Sequence, residues 1–271
     1  MSHQHLPRRL LAALLTAAML SLAGCATGPN ANPRDPLEPF NRGMSEFNEN
    51  LDAVILKPSA TFYREKVPAL VRTGVSNFFG NLGDAWSAVN SALQFKLQNA
   101  GENWLRFSFN TVFGLGGILD IASELNIERH REDFGQTLGR WGVPAGPYIV
   151  LPFFGPSTLR DTLALPIDRR GDPVRDVSHA APRNSLYALR AVDVRSNLLR
   201  AGDVLEGAAL DKYTFTRDAY LQRRRAEIVE RRGEQAGDGN DGNIPKEPDA
   251  EAAPAGRPSG SPPTGTPAPA R

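Results

Sequence analysis

The clearest chemistry in this sequence belongs to one thiol. Cys25 is the single cysteine among 271 residues, and it closes the tetrad Leu22, Ala23, Gly24, Cys25. Ahead of it lie Arg8 and Arg9 and then the apolar run LLAALLTAAML, Leu10 to Leu20. A basic start, a short apolar stretch and small residues before a cut are the order of a secretory leader, and the run is too short to span a bilayer. A leader ending in Leu-Ala-Gly-Cys matches the bacterial lipobox, whose cysteine sulfur is acylated and whose cysteine becomes the new N-terminus. A lone cysteine in an exported chain has no intramolecular disulfide to make, so its position predicts lipid attachment. Buried methylenes contribute roughly 0.8 kcal/mol each, and several acyl chains on one residue hold a protein on a membrane in effect permanently. Ala26 follows, in place of the aspartate associated with inner-membrane retention. The expected address is the periplasmic side of a Gram-negative outer membrane.

The other reactive side chains do not assemble into a reaction. His3 and His5 leave with the leader, and His130 and His179 stand among Arg, Glu and Asp without metal-ligand spacing. Ser157 follows Gly-Pro rather than the nucleophile-elbow pattern. The run Gly114-Leu115-Gly116-Gly117 lacks the third spaced glycine and the preceding strand of a dinucleotide fingerprint. The charged cluster ERHRED, Glu128 to Asp133, reads as a solvated connection. The expectation is therefore no catalysis, no metal and no cofactor. Loss of Arg8 and Arg9 takes the net charge from +1 to about −1, which leaves no global basic field for nucleic acid.

These residues must be carried by one domain. Residues 1–24 read as the leader and 25–35 as a lipidated tether, while 233–271 is Pro, Gly, Ala, Ser and acid with little to bury and is predicted to stay disordered. Residues 36–232 are enough for one sizeable core.

Charge is distributed unevenly within that domain. Asp84, Lys96, Glu102 and Arg106 are the only charged residues among the 47 from Thr73 to Leu119, against seventeen from Asn184 to Arg232, where a solvated helical face is expected. Val75, Phe78, Phe79, Leu82, Trp86, Val89 and Leu93 recur at helical spacing, with Ser76, Asn77, Asn81, Ser87, Asn90 and Ser91 opposite. A polar face with almost no charge fits either a buried core helix or one at membrane depth whose polar face meets a wet interior. From Asn103 to Ala122, Trp104, Leu105, Phe107, Phe109, Val112 and Phe113 crowd a helix that Gly114, Gly116 and Gly117 end, predicting two short helices joined by a hairpin.

The stretch WGVPAGPYIVLPFFGPSTL, Trp141 to Leu159, is nineteen uncharged residues. Pro144, Pro147, Pro152 and Pro156 forbid a helix, so irregular apolar backbone is expected, buried in protein or near lipid.

Several blocks in order, DPLEPFNR from Asp35, MSEFNENLDAVILKP, VSNFFGNL, FSFNTVFGLGGILDIA, FGQTLGRWGV, GPYIVLPFFGPSTLRD and DKYTFTRDAYLQRR, resemble the MlaA family, also called VacJ. The resemblance runs from about Asp35 to Arg224. It implies a mainly α, ring-like helical lipoprotein with an amphipathic central channel, lying in the inner leaflet of the outer membrane. It also implies association with a trimeric outer-membrane porin and passage of mislocalised phospholipid from the outer leaflet to a periplasmic lipid-binding protein, MlaC, without a chemical step. Cys25 then carries the lipid. Phe40 and Asn41 match a region that influences channel opening, and Gly114, Gly116 and Gly117 match a hairpin, which favours a hinge over a plain turn. The Trp141–Leu159 segment becomes a wall or mouth of the lipid path, with Tyr148, Phe153 and Phe154 in it. Arg140 and Arg160 at its edges are placed either to meet lipid phosphate or to form structural ion pairs. Two other readings predict otherwise: a structural porin-associated lipoprotein would enclose a dry core and no lipid, and a lipid-modifying enzyme would depend on some Ser, His or Asp.

Overall fold

The computed structural model describes residues 35–208 and 210–236. The leader, Cys25 with its tether, and the tail after Ala236 lie outside the described residues. In chain order the elements are helix α1 (Glu38–Leu51), a π-helical turn (Asp52–Leu56), α2 (Lys57–Lys66), α3 (Ala69–Leu93), α4 (Leu97–Val112), α5 (Ile121–Glu124) and α6 (Phe134–Arg140). Strands β1 (Tyr148–Leu151) and β2 (Gly155–Thr158) follow, then α7 (Leu159–Arg170), a 3-10 turn (Pro173–Asp176), α8 (Ala180–Ala208) and α9 (Lys212–Ala236). The described residues are mainly helical, as the family resemblance implies.

Local chemistry sets the element ends. Pro68 is extended at the start of α3, where a missing amide costs nothing. Asp120, Asp133 and Thr158 cap α5, α6 and α7 by accepting from the amides of Ser123, Gln136 and Asp161. Between α3 and α4 only Gln94, Phe95 and Lys96 intervene, with Phe95 at φ 60° and the Lys96 amide donating to Ser91 O at 2.9 Å. So short a reversal makes α3 and α4 antiparallel neighbours. Between α1 and α2, the Lys57 amide reaches back five residues to Asp52 O. The Arg195 guanidinium of α8 forks onto Asp52 there with two bonds of 2.7 Å, fixing the π turn to α8.

The Trp141–Leu159 segment is not wholly irregular. Its centre is a two-stranded antiparallel hairpin in which Tyr148 faces Thr158 and Leu151 faces Gly155. Pro156 is tolerated because a two-stranded sheet has only edge strands, where a missing amide need not face a partner. Phe153 at φ 67° and Gly155 at φ 75° turn the chain.

Burial is inverted relative to an ordinary water-soluble domain. The largest side chains with essentially no exposure are Arg106, Val150, Asn41, Asn81, Asn90, Asn103 and Asn110, of which one is apolar. Meanwhile Leu70, Phe95, Leu97, Val112, Leu115 and Phe153 are at least two-thirds exposed. Proteins in water rarely expose so many large apolar side chains without a partner for them. No helix among the described residues is long and apolar enough to cross a membrane.

Candidate functional site

The inversion is sharpest on α4. Asn103, Arg106 and Asn110 are buried at spacings of three and four, while Leu97, Trp104, Leu105 and Val112 are exposed on the other side. On α3 the buried seam is Asn81, Asp84, Ser87, Asn90 and Ser91, and Val89 and Leu93 point outward. The two helices thus join along their polar faces. Asn81 Nδ2 donates to Thr111 Oγ1 at 2.9 Å, and Arg106 crosses from α4 to within 3.5 Å of Asp84.

The third side of this seam is the ERHRED cluster, which corrects the expectation of a solvated connection. Arg129 pairs with Asp84 at 2.9 Å, and His130 Nε2 lies 2.6 Å from Glu102 Oε2. The buried Glu132 receives Lys96 Nζ and Gln94 Nε2, each at 3.0 Å. Three of the four charged residues of the charge-poor stretch, Asp84, Lys96 and Glu102, find partners in this cluster, and the fourth, Arg106, pairs with Asp120 and Asp84. The polar face of α3 is consequently closed by protein and does not line a wet interior, at least along Asn81 to Ser91. That is the reason its charge is low: each charge desolvated in the seam needs a dedicated counter-charge.

The glycine turn after α4 is packed onto the same seam. The Gly117 amide donates to Asn110 O at 2.8 Å and the Leu119 amide to Gly114 O at 2.9 Å, while Asn77 Nδ2 donates to Ile118 O at 3.1 Å. A methyl on Gly114 would sit 2.3 Å from Leu119 O, and one on Gly117 would sit 2.6 Å from the Asn81 amide. Gly116, at φ 72°, has open space around it. Gly116→Ala is expected to cost about 1–2 kcal/mol, the left-handed strain alone, and Gly114→Ala and Gly117→Ala distinctly more. Thermal unfolding of the three variants in detergent checks this, and three equal losses would contradict the packing. Val112, Phe113, Leu115, Ile118 and Leu119 make the tip an exposed apolar knob.

The β-hairpin is held by two asparagines of α1 that lie seven residues, two turns, apart. Asn41, fully buried, donates to Tyr148 O at 3.0 Å and accepts from Val150 N at 2.8 Å. Asn48 repeats the arrangement at the tip, donating to Leu151 O at 2.9 Å and accepting from Phe153 N at 2.8 Å. Each side-chain amide presents a donor and an acceptor as a neighbouring strand would. Asn41 also donates to Asp35 Oδ1 at 3.0 Å, and Asp35 in turn binds the Tyr213 hydroxyl and Arg217 of α9. Sequence reasoning singled out Asn41 but missed Asn48, whose only signal is the spacing of seven. Tyr148 is buried against Tyr213 and Tyr220 and so belongs to the small core rather than to a lipid-facing wall. Phe40, Phe153 and Phe154 are exposed, with Phe47 edge-on to Phe153 at 5.6 Å.

Arg160 is buried and pairs with Asp161 at 2.9 Å, which favours the structural ion pair over a phosphate contact. Arg140 ends α6, half-buried and engaged by its neighbours. The strongest latch is one the sequence did not reveal: Arg224 of α9 forks onto Asp133 at 2.7 and 3.0 Å and also reaches Asp161 at 3.1 Å. Burial pushes the Asp161 carboxyl up, but Arg224, Arg160 and the Tyr220 hydroxyl outweigh it, and the group titrates below the usual carboxylate range. A carboxyl with a depressed folded pKa stabilises the fold fully above its unfolded value of about 4 and loses that contribution as pH falls through the folded value. The stability gap between wild type and Asp161→Asn in denaturant should hold from neutral pH to about 5 and close below about 4. A gap that widens in acid would contradict the pairing.

Beside the hairpin tip opens a cavity of about 750 Å³ lined by Phe154, Tyr187, Asp172 and arginines 169, 175, 183 and 190. It shares Phe154, Arg169, Asp172 and Arg190 with a second cavity of about 350 Å³ that continues past Leu82, Trp86 and Leu165. Gly171 is required at their boundary, since a methyl there would lie 2.1 Å from the Trp86 ring. No group of three metal-ligating side chains occurs among the described residues. The arrangement offers an apolar exterior, a polar and ion-paired interior, and one amphipathic hollow.

Comparison with known proteins shows the family. The family model described as MlaA lipoprotein matches residues 33–227. An intermembrane phospholipid transport system lipoprotein of Shigella flexneri is 39% identical over 215 residues, covering 74% of this chain and 82% of that protein. The protein of the same description from Haemophilus influenzae is 35% identical over 232 residues, covering 79% and 88%. A solved structure described as the structural basis for maintenance of bacterial outer membrane lipid asymmetry superposes with a TM-score of 0.60 at 34% identity, covering 72% of this chain and 98% of that one.

Proposed function

The chain belongs to the MlaA lipoprotein family and serves intermembrane phospholipid transport, and from that premise we propose how it does so. Cys25, acylated, anchors it to the periplasmic side of the outer membrane. The apolar exterior sits in the inner leaflet, where lipid tails replace water as the outer solvent. The helices enclose an amphipathic channel that takes mislocalised phospholipid of the outer leaflet inward and delivers it to the periplasmic carrier MlaC, with a trimeric porin alongside. The hollow beside Phe154 is part of that path, and Phe40, Phe153 and Phe154 stand at its mouth. Asn41 holds the mouth in register. The turn of Gly114, Gly116 and Gly117 is the gating element: Gly114 and Gly117 fix its base and Gly116 is the pivot of its exposed tip. No chemical step is involved.

The observation that carries this reading is the inversion on α4, with Asn103, Arg106 and Asn110 inside and Leu97, Trp104 and Val112 outside. The test is the amount of phospholipid in the outer leaflet of cells lacking the protein, complemented with wild type, Cys25→Ala or Gly116→Pro. Exposure should rise on deletion and be corrected by wild type alone. If deletion leaves surface phospholipid unchanged, a porin-associated scaffold becomes the better account.

A further inference from the structure

The cavity beside the hairpin tip carries a charge imbalance that transport of lipid in general does not require. Four guanidinium groups face it, and one carboxylate, Asp172, is among its walls. That carboxylate is already engaged: its Oδ2 lies 3.0 Å from Arg190 Nη1 and its Oδ1 accepts the Val174 amide at 3.1 Å. Arg169 lines the cavity and lies over the Phe154 ring at 5.1 Å, a contact that engages the face of its guanidinium. Arg175, exposed, and Arg183, half-buried, have no ion pair or side-chain hydrogen bond among the described residues, whereas Arg106, Arg195 and Arg224 are each bonded to acid.

Like charges gathered around one hollow repel one another, and an anion in the hollow relieves that repulsion. Guanidinium groups match the oxygens of a phosphate with two parallel bonds each. The adjoining cavity runs past Leu82, Trp86 and Leu165, and its two further carboxylates are already engaged, Asp133 by Arg224 and Asp168 by the Trp86 indole and the Phe134 amide, so the basic hollow opens directly onto a largely apolar one. A phosphate with hydrocarbon attached fits the pair of hollows better than a bare ion does.

Resting on the transport reading, we propose that Arg175 and Arg183, flanked by Arg169 and Arg190, form a phosphate-binding headgroup site that favours phospholipids of net negative headgroup over zwitterionic ones. The phosphodiester common to both classes gives basal binding. The uncompensated arginines supply the preference.

The test uses the purified full-length lipoprotein in detergent with short-chain phosphatidylglycerol, short-chain phosphatidylcholine and inorganic phosphate as probes. Wild type should bind the phosphatidylglycerol about tenfold or more tighter than the phosphatidylcholine, the worth of one good charge-assisted contact. The Arg175→Gln/Arg183→Gln pair should lose that preference and keep the weaker binding. A control pair, Arg64→Gln/Arg200→Gln, empties two arginines from a separate hollow of about 460 Å³ and should change neither. Inorganic phosphate should compete weakly. Competition as strong as that of phosphatidylglycerol would make this a free-phosphate site and overturn the headgroup assignment, as would equal binding by wild type and the Arg175/Arg183 pair. The cellular assay separates the two readings. A wild type that fails to lower surface phospholipid yet shows the expected preference in detergent overturns transport and leaves the site standing. A wild type that transports without any headgroup preference overturns the site and leaves transport standing.

Discussion

Replacing Arg106 with leucine should cost about 3–5 kcal/mol, the loss that follows when a buried ion pair is broken from one side. Arg106 is 2% exposed. Its Nη2 forks onto both oxygens of Asp120 at 2.7 and 2.8 Å and reaches Ser123 Oγ at 3.2 Å, while Nη1 donates to Ile127 O and Nε lies 3.5 Å from Asp84. Without it, Asp84 and Asp120 share only Arg129, which is 2.9 Å from the first and 3.8 Å from the second. Burial already pushes the Asp84 carboxyl up despite both arginines, so it is the group least able to lose one. Arg106→Lys should recover part of the loss, because a point charge keeps the attraction without the fork. At about 2–4 °C per kcal/mol for a domain of this size, the leucine variant should melt roughly 10 °C below wild type. Arg223→Gln, which removes an exposed pair with Glu227 at 3.2 Å, should change little. Equal shifts for Arg106→Leu and Arg223→Gln would mean the polar interior is wetter than its burial indicates.

The second large effect concerns the clasp on the β-hairpin. Asn41→Ala should cost about 2–4 kcal/mol, because it strands the Tyr148 carbonyl and the Val150 amide inside the protein, at about 1–3 kcal/mol for each unsatisfied group. Asn48 is half-buried, and water can replace it in part, so Asn48→Ala should cost less globally but free the tip. Amide exchange distinguishes the two residues. Val150 should exchange faster in Asn41→Ala, and Phe153 faster in Asn48→Ala, each without a matching change at the other site. Because Phe154, next to the Phe153 amide that Asn48 holds, lines the amphipathic hollow, Asn48→Ala should also alter lipid flow more than its stability loss implies. Unchanged exchange at Val150 in Asn41→Ala would show that something else registers the hairpin.

What the sequence disclosed follows from which physics is local. The helices of Ala69–Leu93 and Leu97–Val112 were legible because apolar and polar residues recur at 3.6-residue spacing, whichever face is buried. The same periodicity is silent about which face turns inward, and only the scarcity of charge hinted at it. Partner choice was not legible either. ERHRED looks like surface in isolation, yet Arg129, His130 and Glu132 become interior once Asp84, Glu102 and Lys96 come within reach from helices up to 45 residues away. The β-hairpin inside the proline-rich stretch was hidden for a related reason. Its outer backbone groups are satisfied by Asn41 and Asn48, more than 100 residues earlier, and its Tyr148 packs on Tyr213 and Tyr220, more than 60 residues later. Arg160 illustrates the limit at a site: an arginine beside an apolar loop fits a lipid phosphate and a structural ion pair equally well in sequence, and the 2.9 Å contact with the adjacent Asp161 favours the second.

The central claim is that the exposed apolar side chains face lipid. With Cys25 acylated, the chain has no other cysteine, so a single introduced cysteine carries a spin label without ambiguity. Labels at Leu97, Trp104 and Val112 on the outer face of α4, and at Arg183 in the hollow, would be compared in the reconstituted lipoprotein for collision with oxygen, which partitions into lipid, and with a water-soluble nickel chelate. The account predicts high oxygen and low nickel accessibility at the three α4 positions and the reverse at Arg183. High nickel accessibility along Leu97, Trp104 and Val112 would contradict it, and the apolar exterior would then have to be a protein interface.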